Sequence, residues 1–193
     1  MWMSDKPRTQ QQLARDLADL VDALRSKSNM MGFIGAFWQT MAREWGSIDG
    51  LRMDKYLYLV RCYVNKGFEK VAKDQWADQA LLEVYSKIMV DVPLNARDIK
   101  IPNGLRYHVV DIYVDELDKV DVRRTAPLEI MLQPLRQLAT DTPTKAMRKR
   151  VQEALDDERL NHWLGADDLN GEEADGAGQS ANGGEEEFGG FDD

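Results

Sequence analysis

The chain has 193 residues, of which 43% are apolar and 31% charged, proportions typical of one globular domain with a sizeable core. It contains no run of about 18 uncharged apolar residues and no signal sequence with a short apolar centre, so we expect neither membrane insertion nor secretion. The one cysteine, Cys62, cannot form a disulfide framework or a cysteine zinc site, which favours a reducing compartment.

The charge is divided unevenly along the chain. The formal net charge is −9, but residues 166–193 hold ten acidic residues and no Lys or Arg. The preceding 165 residues therefore carry 25 basic and 24 acidic side chains and are nearly neutral. Because residues 166–193 have few bulky apolar side chains to bury, we predict a disordered acidic C-terminal tail after a domain spanning 1–165.

Apolar residues recur at helical spacing throughout residues 1–165, and no segment alternates as a strand would, so the predicted fold is all-α. Glycines at 46 and 50 interrupt the second helix, and Pro93 ends the fourth. Pro134 is expected to bend the sixth helix, and Thr142-Pro143 to begin the seventh as N-cap and first residue. The seven predicted helices cover about 13–24, 30–45, 51–66, 74–92, 105–120, 127–138 and 142–163.

The third predicted helix is apolar on two faces, which is typical of an inner helix with neighbours on both sides. Seven helices with short connections then indicate either an α-solenoid of HEAT-like hairpins or an irregular helical bundle. In the second helix, Trp38, Met41 and Trp45 recur at spacings of three and four residues. We therefore predict that these side chains are core residues and not a ligand site.

Catalytic and metal-binding motifs are missing from the sequence, so we predict no enzyme activity, cofactor, metal or small-molecule substrate. The two histidines, His108 and His162, lie on different helices, and neither has a partner at ligand spacing. Cys62 is expected to be a small buried residue. The acidic pair Asp115-Glu116 could flank a metal, but beside basic residues it is more often part of a solvated helix face.

A cluster of cations is the strongest candidate site. On a helical wheel of the seventh helix, Lys145, Arg148, Lys149 and Arg150 face outward, opposite the apolar side. Such a cluster can bind RNA phosphates without reading bases, although a solvated basic face is an equally ordinary explanation. The dipeptide Arg123-Arg124 could extend the same surface.

Several separated blocks resemble the nucleolar ribosomal RNA-processing protein 1 family. They are MWMSDKP at 1–7, FWQTMAREWGSIDGLRMDKYLYLVR at 37–61, IPNGLRYHVVDIYVDELDKV at 101–120 and DTPTKAMRKRVQEALDDER at 141–159. The resemblance implies an all-helical, non-enzymatic assembly factor in the nucleolus. It also implies binding to precursors of the large ribosomal subunit, to other assembly factors and ribosomal proteins, and to precursor ribosomal RNA.

Two departures from the family pattern are visible. Members normally have further helices before MWMSDKP, so the first hairpin is expected to expose an apolar flank. Many also have long basic extensions, whereas this chain ends in an acidic segment. An alternative function is therefore an acidic-tailed chaperone or adaptor for basic proteins such as ribosomal proteins or histones.

Overall fold

A computed structural model describes residues 3–4 and 6–163, which form eight α-helices joined by loops and short 3-10 turns, with no β-strand among them. The all-α prediction is confirmed for these residues. The predicted tail, 166–193, lies outside the described residues. The helices are α1 (Pro7–Asp19), α2 (Lys27–Glu44), α3 (Met53–Ala72), α4 (Gln79–Asp91), α5 (Asn103–Val120), α6 (Leu128–Met131), α7 (Gln133–Asp141) and α8 (Lys145–Leu155).

The helices form two layers. One layer contains α1, α3, α5 and α8 side by side, and the other contains α2, α4 and the α6–α7 pair. Neighbours in the first layer run parallel, because their contacts advance together along both helices. Between α1 and α3, Arg15 contacts Tyr58 and Asp19 contacts Lys66. Between α3 and α5, Leu57 contacts His108 and Arg61 contacts Glu116. Of the two predicted arrangements, this stacking of helical hairpins in two layers is closer to the HEAT-like α-solenoid than to an irregular bundle.

Because these helices run parallel, the loops between them collect at two opposite edges. We call loops 45–52, 92–102 and 142–144, which precede α3, α5 and α8, the leading edge. Loops 20–26, 73–78 and 121–127 form the trailing edge. The length of α5, 18 residues or about 27 Å at 1.5 Å per residue, separates the two edges.

The core lies between the layers, and α3 is enclosed by α1 on one side and α5 on the other. The ring of Phe68 meets Tyr85 and Tyr113 edge-on, with centroids 5.7 and 5.0 Å apart. Trp38 and Met41 in α2 and Trp45 in the 3-10 turn that follows it are buried, which confirms their predicted core role. Such aromatic contacts stabilise the stack through burial and edge-to-face geometry.

The third and fourth helices have different boundaries from those predicted. Helix α3 continues past 66 to Ala72, and α4 begins at Gln79 instead of 74. Between them, Gln75 and Trp76 adopt positive φ angles of 53° and 62°, which no helix tolerates. The carboxylate of Asp78 then caps α4 by accepting the Leu81 amide at 3.0 Å.

The predicted sixth helix is broken where we expected a bend. It divides at Leu132 into α6 and α7, and Pro134 falls in the first turn of α7. Proline is tolerated there because the amides of a first turn need no intrahelical acceptor.

The seventh predicted helix is shorter than its apolar pattern suggested. It begins at Lys145, and its N-cap is Thr144 instead of Thr142. Thr142 is buried, and its hydroxyl accepts a hydrogen bond from the Thr144 amide at 3.3 Å. It ends at Leu155, and a 3-10 turn over Glu158–His162 follows. Among the described residues, no helix is both long and apolar enough to cross a membrane.

A glycine sets the distance between α3 and α4. A Cβ added to Gly67 would lie 2.6 Å from the hydroxyl of Tyr85, a fully buried side chain, whereas one added to Gly35 in α2 would meet no atom within 4 Å. We expect Gly67→Ala to lower the free energy of unfolding by about 1–2 kcal/mol through overpacking. Gly35→Ala should raise it by about 0.5–1 kcal/mol through helix propensity.

Urea denaturation of both variants checks this pair. Equal effects of the two substitutions would contradict the close packing of α4 on Gly67.

Candidate nucleic-acid interface

The predicted cations lie on the outer side of α8. On the other side of α8, Met147 and Val151 are buried against the stack and anchor the helix there. Lys145, Arg148 and Lys149 are exposed. We call these three residues the basic ridge, which begins at the leading edge and runs down α8.

The members of the basic ridge have few competing partners. Lys145 has no carboxylate partner among the described residues, and Arg148 donates only to the Thr142 carbonyl at 3.4 Å. Lys149 lies 3.6 Å from Glu153, and both side chains are largely exposed. An exposed pair of this kind contributes little free energy, so a phosphate could displace it.

Arg150 differs from its neighbours because it is already bound. Its Nε and Nη2 donate to the two carboxylate oxygens of Asp111 on α5, at 2.5 and 2.8 Å. A bidentate pair fixes the guanidinium and neutralises most of its field. Arg150 therefore holds α8 on α5, and a phosphate would have to compete with Asp111 for it.

Arg123 and Arg124 do not extend the ridge as predicted. They follow α5 at the trailing edge, the opposite end from Lys145. Arg124 has a φ of 56°, and its guanidinium lies 5.4 Å from the centre of the Trp163 ring and 3.5 Å from Asp118. Arg124 thus secures the C-terminal end of the described fold, while Arg123 is exposed to solvent.

The acidic pair on α5 also differs from its prediction. Asp115 is partly exposed, but Glu116 is almost fully buried. The Glu116 carboxylate accepts from Arg61 at 2.9 Å, Asn65 at 3.0 Å and Lys119 at 2.6 Å. Buried carboxylates need such donors, and here they fix the register of α3 against α5. Helical periodicity alone could not show that a neighbouring helix covers Glu116.

The candidate chemical groups are not assembled into a catalytic arrangement. Cys62 is half-buried and lines a cavity of about 240 Å³ that also contains Arg61 and Glu116, but not His108. Burial raises the pKa of its thiol, which disfavours the nucleophilic thiolate. Among the described residues, no group of His, Cys, Asp and Glu could hold a metal ion.

A groove between α2 and α4, about 570 Å³ in volume, lacks catalytic groups as well. Its walls are mostly apolar or small, with Gly32, Gly35 and Val84 among them. Its charged residues, Lys27 and Asp78, lie at one end and pair with each other at 2.6 Å. The lining is therefore mainly apolar, and its two charged side chains neutralise each other.

His108 has a hydrogen-bonded structural role. Its Nε2–H donates to the Leu57 carbonyl at 2.9 Å, and burial lowers its pKa below the usual 6.5. Below pH 6.5 the unfolded chain therefore takes up a proton that the folded protein does not accept. The free energy of unfolding should fall as the pH decreases from 6.5 towards the lowered pKa.

We expect His108→Gln to remove this part of the pH dependence while keeping a donor to Leu57. Exposed His162→Gln is the control and should keep the parental profile. Urea denaturation at a series of pH values measures both. An unchanged profile in His108→Gln would show that the buried imidazole does not control stability.

The described residues define an all-α protein of stacked helices whose last α-helix, α8, carries a ridge of exposed cations. The chain belongs to the family described as "Nucleolar protein, Nop52", which matches residues 1–188. This membership confirms the family identified from the sequence blocks.

Relatives share the name "Ribosomal RNA processing protein 1 homolog". Homolog B of Homo sapiens is 40% identical over 120 residues, 62% of this chain and 16% of the relative. Homolog A of Mus musculus is 33% identical over 157 residues, 80% of this chain and 31% of the relative. The Dictyostelium discoideum homolog is 28% identical over 181 residues, which are 84% of this chain and 37% of the relative. The chain thus spans less than two fifths of each of these relatives.

Proposed function

We propose that this protein is a non-enzymatic nucleolar assembly factor for the large ribosomal subunit. In this proposal it binds precursor particles as a rigid helical scaffold and supports processing of their RNA. The family description and the names of the relatives support the nucleolus and ribosomal RNA processing. The restriction to the large subunit comes from the family resemblance.

The observation that carries the proposal is the basic ridge. Lys145, Arg148 and Lys149 project from one rigid helix that is anchored by the core and by the Arg150–Asp111 pair. Phosphates are bound through such clusters by charge and counterion release, without base recognition. A protein that contacts folded RNA in this way holds the RNA in place within a particle, and this role needs no catalytic group.

The proposed partners are precursor ribosomal RNA at the basic ridge and other assembly factors and ribosomal proteins elsewhere on the stack. Arg150 would join the RNA contact only if a phosphate replaced Asp111. Exposed Arg123 would make a separate phosphate contact at the trailing edge, with Arg124 holding the loop beside Trp163.

Charge reversal tests the RNA contact. The ridge variant combines Lys145→Glu, Arg148→Glu and Lys149→Glu, and leaves Arg150 intact so that α8 stays in place. Its affinity for a structured fragment of large-subunit precursor RNA should fall. The slope of log affinity against log salt should become less steep by about 2 to 3, since each phosphate contact contributes about 0.7–0.9.

The matched control combines Arg8→Glu, Arg25→Glu and Lys73→Glu, which are exposed positions away from α8 and change the net charge equally. RNA binding by the control should keep the parental salt slope, apart from a small general loss of affinity. Equal losses in both variants, or no loss in either, would remove the basic ridge from the proposed function.

A further inference from the structure

Two large aliphatic side chains at the leading edge are almost completely exposed. Leu51, which comes two residues before α3, is 100% exposed, and Ile99, which comes shortly before α5, is 96% exposed. Pro143 is also exposed and comes two residues before α8. An apolar residue therefore stands before each of three successive parallel helices. In repeat proteins, the loops on one face often form the binding surface.

The loop that carries Ile99 is held rigidly. The buried guanidinium of Arg106 donates to the Asn95 carbonyl at 2.6 Å, the Asp98 carbonyl at 2.5 Å and the Asn103 side chain at 2.8 Å. The Asn95 side chain also accepts the Asp98 amide at 2.8 Å. A pre-organised loop loses little entropy on binding, so an exposed Ile99 on it suits a contact residue.

Leu51 is held in a similar way, on the neighbouring loop of the leading edge. It sits in a 3-10 turn whose N-cap, Asp49, accepts the Arg52 amide at 3.1 Å. The same loop packs on the start of α5, because a Cβ on Gly104 would lie 3.0 Å from the Trp45 Nε1. Adjacent helices lie about 8–10 Å apart. Leu51 and Ile99 thus precede adjacent helices and lie on the same edge of the stack.

The charges around these side chains favour an acidic ligand. Asp49 pairs with Arg52, Asp141 lies 3.5 Å from Arg97, and Asp98 faces the buried Arg106. By contrast, exposed Lys100 and Lys145 have no carboxylate partner among the described residues. Exposed Asp54, in the first turn of α3, likewise has no cation partner among the described residues. The unpaired exposed charges of Lys100, Lys145 and Asp54 are therefore two positive and one negative, so a small positive excess remains at this edge.

We propose that the leading edge is a docking surface for an extended acidic segment of another protein. Apolar side chains of that segment contact Leu51 and Ile99, and its carboxylates face Lys100 and Lys145. In an extended chain alternate side chains share a face, so the apolar residues that contact Leu51 and Ile99 are expected an even number of residues apart. RNA would gain little from these aliphatic residues, because bases stack on aromatic or guanidinium planes.

This inference rests on the proposed scaffold function, and a crosslinking experiment tests it. The photoreactive amino acid p-benzoylphenylalanine replaces Leu51 or Ile99 in the full chain in cells, and the crosslinked residues are mapped by mass spectrometry. Both positions should crosslink to one acidic segment of the same protein. The control replaces Val122, an 81% exposed aliphatic residue at the trailing edge, which should not reach that segment.

The combined variant Leu51→Glu with Ile99→Glu should reduce that crosslinked protein's recovery about tenfold, as expected for losing a binding hot spot. The control Val122→Glu should leave recovery unchanged, and all these variants should keep the parental unfolding midpoint because the side chains are exposed.

Crosslinks to RNA, to residues 164–193 or to a second copy of the chain would overturn the inference. Different proteins at the two positions, an unaffected recovery or no crosslink would do the same. Co-sedimentation with large-subunit precursors distinguishes a failure of the docking surface from a failure of the proposed function. A chain that enters particles but fails these tests refutes only the docking surface, whereas a chain that never enters them refutes the proposed function.

Discussion

The parallel packing of α3 between α1 and α5 is the constraint on which the other features depend. The buried Glu116 carboxylate, with Arg61 and Asn65 as donors on α3, fixes the register of α3 against α5. Lys66 makes the corresponding contact to α1 by pairing with Asp19 at 2.7 Å. Because both contacts keep the helices parallel, the loops before α3, α5 and α8 reach the same edge, and both proposed surfaces begin there.

Paired and unpaired charged side chains have different roles in this protein. Asp111 and Asp115 on α5 bind Arg150 and Arg159, which places α8 and the turn after it along α5. Cations paired in this way stabilise the arrangement of helices and are poor ligands for other molecules. Exposed cations that lack such pairs, among them Lys145 and Lys100, stay available to partners. This distinction explains how a nearly neutral domain can present a locally positive surface.

Much of the fold could be predicted because apolar periodicity reports burial directly. It identified the all-α class, the two-sided packing of α3 and the burial of Trp38 and Trp45. Features that depend on contacts between distant segments could not be predicted. A helical wheel shows that Arg150 faces outward, but it cannot show that Asp111 lies beside it on α5. It also cannot show that Arg124 lies at the opposite end of α5 from Lys145, or that Leu51 and Ile99 share an edge.

Distances between paired spin labels test whether these loops lie on two opposite edges. Labels would be attached to cysteines at the exposed positions 51 and 99, or 51 and 122, in a Cys62→Ser background. The account predicts that positions 51 and 99 are close, about one or two interhelical spacings apart, and that positions 51 and 122 are separated by roughly the 27 Å length of α5 or more. A distance between 51 and 99 as long as that between 51 and 122 would contradict the parallel stack and both surfaces inferred from it.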